Sequence, residues 1–272
     1  MNLLELSPGN QLAYEYQAPA SADGYTVVFI NPITGDVALW NEQIVPALQA
    51  QGIGTLVYNF RGQAQSTYDP AVDLTDELII SDLRALLAAV NPPKPVLAGL
   101  SIGGLYAARA MLEGSPVAAL VLINTLRRIT PRLEWMNEAS LRVMAVGGPN
   151  LMKDLFFQLL VGEPFQQANR ANFLVEKPDY TPLPKDSGAW NLLTWMGKTD
   201  WDIDWAALSV PTLVVTGTQD RVFYDKPIVE ELFSLLPDAR HVQMHDAGHM
   251  LPAEQPAQFI AALTQFVQQL KA

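Results

Sequence analysis

The chain has 272 residues, with 28 Asp and Glu against 17 Lys and Arg, and a formal net charge of −11 at pH 7. So negative a surface repels phosphate backbones and anionic lipids, which excludes nucleic acid and membrane surfaces as expected partners. The absence of cysteine excludes disulfides, thiolate ligands and a cysteine nucleophile. No apolar run approaches a bilayer span, and the first basic residue is Arg61, unlike a signal peptide. We therefore expect a cytoplasmic globular protein with one large domain, or a domain with an insertion.

The first half of the chain alternates predicted strands with predicted helices. A hairpin over 3–16 turns at Ser7-Pro8-Gly9-Asn10. A helical pattern covers 40–48, and two further helices are predicted over Asp76–Val90, capped by Thr75, and Ile102–Leu112. The strands after the hairpin are continuously apolar, as strands buried on both faces are. They are Tyr25–Ile30, Gly54–Phe60, Lys94–Leu100 and Val117–Asn124.

The second half begins with a long helical stretch. From about 126 to 206 the pattern is helices separated by Gly and Pro, and strands resume at Pro211–Gly217 and Arg240–His245. Helices follow over Tyr224–Leu236 and from about Pro256. Alternation of this kind predicts an α/β fold with a mostly parallel, doubly wound sheet of roughly eight strands. We expect residues 1–126 and 207–272 to form its core and residues 127–206 to form a helical lid inserted between the late strands.

Ser101 stands between a predicted strand and a predicted helix in the stretch LAGLSIGGLYA, residues 97–107. Gly99 and Gly103 complete the pattern G-x-S-x-G, which in this context is the signature of a nucleophile elbow. The sharp turn strains the serine backbone and leaves no room for side chains beside it, which accounts for the glycines. Because ligands bind at the carboxyl ends of parallel strands, Ser101 also lies at the expected edge of the sheet.

A serine nucleophile needs a base, and the chain has three histidines, His241, His245 and His249. Their spacing would suit a metal site on a helix, but the surrounding pattern is a strand followed by a loop, so we expect no metal. His241 and His245 are expected to share one face of that strand. His249 lies in the loop DAGHMLPAEQP before the last helix, and we predict that it is the catalytic base.

The base needs a carboxylate to orient it, and Asp220 in GTQDRVF follows a strand at the same edge of the sheet. The order Ser101, Asp220, His249 is the one expected for this fold. Asp246 is an alternative, but a short loop places it badly for the outer ring nitrogen of His249. Asn124 ends a neighbouring strand and is not an acid.

Two further segments carry a resemblance. VYNFRGQAQS, residues 57–66, is similar to the D-x-R-G-x-G-x-S of the α/β-hydrolase superfamily, with Asn59 in place of Asp and Ala64 in place of Gly. AGHMLPAEQPAQF is similar to its G-H-x-x-x-x-E-x-P segment. The chain resembles this superfamily over nearly its whole length. The nearest branch is the small, lid-bearing group of serine esterases, lactonases and C–C hydrolases.

The resemblance implies an oxyanion hole with one departure. Where relatives have His-Gly after the first buried strand, this chain has Asn31-Pro32, and proline has no N–H to donate. By alignment the donors are the backbone N–H groups of Ile33 and Ile102. Asn31 is expected to brace the loop through its amide, as the usual histidine does.

The stretch 127–206 contains five of the six tryptophans, together with several Met and Phe residues. A lid above a sheet cannot bury all of them on itself, so we expect some to line an apolar, adaptable pocket over Ser101. Arg127, Arg128 and Arg132 cluster at the start of the stretch. A substrate carboxylate is one possible partner for them, but we favour a solvated face.

These observations predict a serine hydrolase that cleaves a carboxylic ester or lactone with an apolar part, without a cofactor. Its partner is then a small-molecule substrate. Acyl transfer from, or hydrolysis of, a hydroxyacyl thioester is an alternative, which would add an acyl carrier as a partner. A second alternative is a relative that binds ligands without catalysis, although an intact triad argues against it.

Overall fold

The computed structural model describes residues 1–173, 175–176 and 178–270. Within them, eight strands form one sheet in the order β1-β2-β4-β3-β5-β6-β7-β8. β1 pairs antiparallel with β2, and β2 antiparallel with β4. All the other neighbouring pairs are parallel, which confirms the predicted sheet. The strands are β1 Asn2–Ser7, β2 Asn10–Gln17, β3 Thr26–Ile30, β4 Gly54–Tyr58, β5 Pro95–Leu100, β6 Ala119–Ile123, β7 Thr212–Gly217 and β8 Ala239–Met244.

The sheet is covered on both faces, which is why its central strands are buried and largely apolar. Val28 and Ile30 of β3 belong to one core cluster, while Val27 and Phe29, which point the other way, belong to a second. Strands β3 to β7 are buried throughout. Burial of so much apolar surface on two faces is the main stabilising contribution in a fold of this class.

Helices cover each face of the sheet. The predicted bounds of α3 and α4 are confirmed, and Thr75 accepts a hydrogen bond from the backbone N–H of Leu78 as the N-cap of α3. The helical pattern over 40–48 forms two short helices instead of one, because Gln43 departs from helical geometry at φ −134°. Helix α10 starts later than predicted, since Asp225 caps it. The helices outside 127–206 are α1 Ala38–Asn41, α2 Ile44–Gln49, α3 Asp76–Val90, α4 Ile102–Leu112, α10 Lys226–Leu235, α11 Leu251–Glu254 and α12 Pro256–Gln269.

Between β6 and β7 the chain forms a helical segment, which we call the inserted segment (residues 127–206). Its longest helix bends where Gly148 adopts φ 61° just before Pro149. A π-helical turn over Lys153–Phe157 and a 3₁₀ turn over Trp205–Ala207 complete the segment. Its helices are α5 Pro131–Met152, α6 Gln158–Leu160, α7 Glu163–Ala168, α8 Arg170–Phe173 and α9 Gly188–Met196.

One of the contacts between the inserted segment and the rest of the chain is made by two glycines. A Cβ added to Gly188, the first residue of α9, would collide with the backbone of Gly62 in the loop after β4. The two backbones therefore touch without an intervening side chain. Throughout the described ranges, no helix has both the length and the apolar character needed to cross a membrane.

Candidate active site

Ser101 lies in the turn between β5 and α4 with φ 59° and ψ −121°. This strained backbone is the one the elbow pattern predicts. A Cβ at Gly99 would collide with the backbone of Gly103, and a Cβ at Gly103 would collide with the carbonyl oxygen of Ile30. Glycine is therefore required at both positions by close packing of the turn. The turn holds Ser101 at the carboxyl end of β5 and at the start of a helix.

The structure brings Asp220 and His249 together. His249 Nδ1 lies 2.6 Å from Asp220 Oδ2, and both side chains are buried. Asp220 Oδ1 accepts from the backbone N–H groups of Val222 and Phe223, each at 2.9 Å. Burial alone would raise the pKa of Asp220, but the contact with His249 and these N–H groups outweigh it and hold that pKa below its usual value. At neutral pH the ionised Asp220 favours a proton on His249 Nδ1, which leaves Nε2 as the ring nitrogen that can accept a proton.

The alternative acid, Asp246, is exposed and does not contact the His249 ring. His241 bonds with Thr216 at 2.9 Å, and His245 lies 3.3 Å from Thr218. The expectation that both histidines share a strand face is wrong, because β8 ends at Met244 where its pairing with β7 stops.

Two residues hold the loop that carries His249. The amide of Asn124 donates to the carbonyls of Gly248 and His249 at 3.0 and 2.9 Å, and its oxygen accepts from Gly217 N–H at 2.8 Å. Glu254 Oε2 accepts from Gly248 N–H at 2.9 Å and from Gly162 N–H of the inserted segment at 2.6 Å. Sequence reasoning considered Asn124 only as a candidate acid. It therefore missed that Asn124 connects Gly217 to the loop of Gly248 and His249.

Ile33 and Ile102 both border the cavity that contains Ser101. In the described part of the chain, neither backbone N–H donates to another protein group. Pro32 precedes Ile33, and Gln63 donates to the carbonyls of both at 3.0 and 3.1 Å, which fixes the loop. Sequence reasoning missed Gln63, because this residue falls on an unspecified position (x) of the motif D-x-R-G-x-G-x-S.

The amide of Asn31 is buried beneath this loop, as expected of a brace. Its nitrogen lies 3.0 Å from the carbonyl oxygen of Tyr58 and 3.1 Å from Gln63 Oε1, while its oxygen accepts from Trp40 Nε1 at 2.8 Å. Asn31 therefore connects the end of β3 to β4 and α1. Pro32, which follows Asn31, has no N–H to donate. The side-chain amides of Asn31 and Gln63 hold the loop instead.

A cavity of about 400 Å³ opens beside Ser101 and His249. Its walls are mostly apolar and come largely from the inserted segment, in agreement with the expected pocket. Only one of the five tryptophans of that segment takes part, and Trp135 is 75% exposed. Aromatic and Met side chains of the inserted segment in the wall are Met136, Met144, Met152, Phe156, Phe157, Met196 and Trp201.

Arg127 is buried in the site instead of lying on the solvated face we expected. Its side chain stacks between Trp201 and Phe223, with ring centres 4.4 and 4.3 Å from the guanidinium carbon. Its Nη2 donates to Ser101 Oγ at 3.0 Å and to the carbonyl of Asn124 at 2.6 Å. The two aromatic faces, which are distant in the sequence, draw the cation inward.

The other two arginines of the cluster behave as expected. Arg128 pairs with Asp202 and Glu231 at the surface, and Arg132 is exposed. Over the described residues, no group of three or more His, Asp or Glu side chains is arranged to hold a metal ion.

Residues 27–262 match the pattern of the alpha/beta hydrolase family. The chain belongs to the alpha/beta hydrolase family. This agrees with the sheet order, the elbow at Ser101 and the positions of Asp220 and His249 after β7 and β8.

The relatives of this alpha/beta hydrolase that are described next match it over 90% of its length or more. It is 25% identical to 3-oxoadipate enol-lactonase 1 of Acinetobacter baylyi, over 97% of this chain and 95% of that protein. It is 25% identical to N-formylmaleamate deformylase of Pseudomonas putida, over 90% of this chain and 89% of that protein. A thermophilic esterase from Thermogutta terrifontis shares the fold with TM-score 0.79 and 23% identity, over 97% of this chain and 95% of that chain.

This hydrolase departs from the family pattern at two positions of the loop after β4, and the structure accommodates both. Asn59, where relatives have Asp, accepts from Val37 N–H at 3.1 Å and donates to Gln65 at 2.9 Å. Ala64, where relatives have Gly, adopts φ 41°. An alanine bears some strain there, because the left-handed region suits glycine.

Proposed function

We propose that the protein is a serine hydrolase that cleaves a carboxylic ester or lactone through an acyl-enzyme. One observation carries the proposal: His249, which is hydrogen-bonded to Asp220, borders the same cavity as a serine held on a strained elbow. This arrangement supplies a nucleophile, a base and an orienting acid without a cofactor. The names of relatives that include an enol-lactonase and an esterase support the same class of substrate.

In the proposed reaction, Ser101 Oγ attacks the carbonyl carbon and its proton passes to His249 Nε2. The carbonyl oxygen becomes an oxyanion held by the N–H groups of Ile33 and Ile102. The tetrahedral intermediate collapses, and His249 returns the proton to the departing alkoxide, which leaves as the alcohol. Asp220 stabilises the imidazolium between these steps.

The second half of the reaction uses the same groups. Water attacks the acyl carbon, and His249 Nε2 takes its proton. The ester bond to Ser101 breaks, Oγ recovers the proton from His249, and the acid leaves. The mostly apolar wall fits an apolar acyl or alcohol part, and we propose that residues 127–206 act as a lid that keeps bulk water from the acyl-enzyme.

A fluorophosphonate probe tests this function, because its phosphonyl oxygen occupies an oxyanion hole and only an activated serine attacks it. We expect a single adduct on Ser101, measured by mass spectrometry of the intact protein and its peptides. The adduct should be absent in Ser101→Ala and strongly slowed in His249→Ala. Folded protein that forms no adduct would contradict the enzyme and favour a ligand-binding protein without catalysis.

A further inference from the structure

The charges around the cavity differ in sign from those of the whole molecule. Arg127 and Lys153 line the cavity, and no Asp or Glu is among its described lining residues. The chain as a whole carries a net charge of −11. A positive cavity in a negative protein therefore needs a reason of its own.

Of these two cations, Arg127 is the one to consider for the reaction, because it is only 5% exposed and lies beside the nucleophile. Burial lowers its pKa to about 10, and the negative charge of Asp220 opposes that shift. At neutral pH the guanidinium is still charged. Taking a cation out of water is costly unless an anion compensates it.

No acidic side chain in the described residues forms an ion pair with Arg127. Asp220 is the carboxylate whose charge acts on it, but both oxygens of Asp220 already bind His249, Val222 and Phe223. The Nε of Arg127 is buried and has no hydrogen-bond partner there. Its bonds to Ser101 and Asn124 are to neutral oxygens, so the charge is not neutralised.

We infer that Arg127 binds a carboxylate of the substrate, placed only a few bonds from the scissile carbonyl. The inference rests on the proposed function, and it names the substrate class more closely: an anionic ester or lactone with an apolar remainder. Arg127 Nη2 lies only 3.0 Å from Ser101 Oγ, so the carboxylate and the scissile carbonyl of the substrate must also lie close together. A planar guanidinium held between two rings matches a planar carboxylate.

Binding also changes the hydrogen bonding of the nucleophile. With no substrate, Ser101 Oγ accepts from Arg127. A carboxylate is a stronger acceptor than a hydroxyl, so it takes over the guanidinium donor. A lone pair of Ser101 Oγ that had accepted from Arg127 is then free to attack the carbonyl carbon, while the serine proton goes to His249. Arg127 is therefore a specificity-determining residue. A substrate carboxylate that binds to it also removes the hydrogen bond from Arg127 to the nucleophile.

The test compares two esters that differ only in charge. One is p-nitrophenyl hydrogen glutarate, and the other is its neutral twin, in which an isopropyl group replaces the carboxylate. The measured quantity is the ratio of kcat/KM for the anionic ester to that for the neutral ester. Arg127→Met should lower this ratio by about tenfold to a hundredfold, as expected for a lost charge-assisted hydrogen bond.

Arg128→Met is the matched control, because Arg128 is the next residue in the chain but pairs with surface carboxylates. Its ratio should equal that of the wild type. Arg127→Lys keeps the charge without the planar fork and should give an intermediate ratio. An equal ratio in the wild type, Arg127→Met and Arg128→Met would overturn the inference.

A binding measurement separates this inference from the proposed chemistry. Glutarate should bind Ser101→Ala by titration calorimetry, and binding should disappear when Arg127→Met is added. If the wild type hydrolyses neither ester but this binding pattern holds, the proposed function fails and the inference stands. Absence of glutarate binding to Ser101→Ala, or tighter binding of phenyl phosphate than of phenylacetate, would overturn the carboxylate assignment.

Discussion

Asp220 uses both carboxylate oxygens to hold the residues around it, one on His249 and one on the backbone N–H groups of Val222 and Phe223. An amide in its place can keep only part of this pattern, since its nitrogen donates where His249 Nδ1–H also donates. The imidazole then takes the wrong tautomer or turns away. The role of this carboxylate is therefore open to a conservative test.

We predict that Asp220→Asn lowers kcat by about four orders of magnitude, the loss typical of this change in a Ser-His-Asp triad. Asp246→Asn is the matched control, because Asp246 is exposed and makes no contact with the ring. Steady-state rates with a p-nitrophenyl ester and circular dichroism of both variants provide the measurement. A larger loss in Asp246→Asn would move the role of the acid to that residue.

Sequence reasoning could place Ser101, Asp220 and His249 at one edge of the sheet because each follows a predicted strand, and their catalytic roles stay predictions. It failed for Arg127. The sequence RR at 127–128 offers no difference between a buried and an exposed arginine. The difference comes from Trp201 and Phe223, which only the folded chain places on either side of the guanidinium.

The first residue of helix α9 shows how a contact outside the cavity wall can affect the site. This residue, Gly188, packs on the backbone of Gly62, beside Gln63, whose amide holds the carbonyls of Pro32 and Ile33. A side chain at Gly188 would push the loop that carries Gln63. The N–H of Ile33, which borders the same cavity as Ser101, would then be displaced.

We predict that Gly188→Ala lowers kcat by about tenfold or more, because small displacements of groups that orient the reaction are costly. Gly197→Ala, at the other end of the same helix, is the control. A Cβ at Gly197 would lie no closer than 3.6 Å to its neighbours, so this change should leave kcat unaltered. Equal rates for both variants, with both folded, would show that the contact does not control the site.

The first and last residues of helices α3 and α4 could be predicted from the sequence, because each helix has its own boundary signals. Thr75 caps α3, and the elbow fixes the start of α4. The break between α1 and α2 was not predictable, because it depends on the backbone of Gln43. The division into a core and a lid at 126 and 207 stays a prediction.

The whole molecule is negatively charged and also buries several carboxyl groups. Burial is the largest influence on Asp76, Asp82 and Glu254, and it raises the pKa of each despite their hydrogen bonds. A carboxyl whose pKa is higher in the folded state stabilises the fold most when it is protonated. That contribution is lost as pH rises through the folded-state pKa.

We therefore predict that the Tm increases as the pH is lowered from 8 through the raised pKa values of these carboxyls. Protonation of these buried carboxyls and the smaller net charge nearer the pI of about 4.6 act in the same direction. For a chain of this size, each kcal/mol gained raises the Tm by about 2–4 °C. Asp220 acts oppositely, but its lowered pKa confines its effect to pH below this window.

Thermal unfolding followed by circular dichroism at constant ionic strength measures the effect. Glu254→Gln should reduce the dependence on pH, because the amide oxygen still accepts from Gly248 and Gly162 but no longer titrates. A Tm that falls steadily from pH 8 to pH 5.5 would contradict the prediction.

The position of Arg127 also affects how a catalytic cycle ends. On the proposed chemistry, deacylation creates a new carboxylate beside Ser101 Oγ, which itself lies 3.0 Å from Nη2 of the buried Arg127. The acid product of a neutral ester thus forms beside a guanidinium that no substrate carboxylate occupies. Its departure must break a charge-assisted contact in a cavity whose walls are mostly apolar. Product release, and inhibition by accumulated acid, then set the pace of turnover.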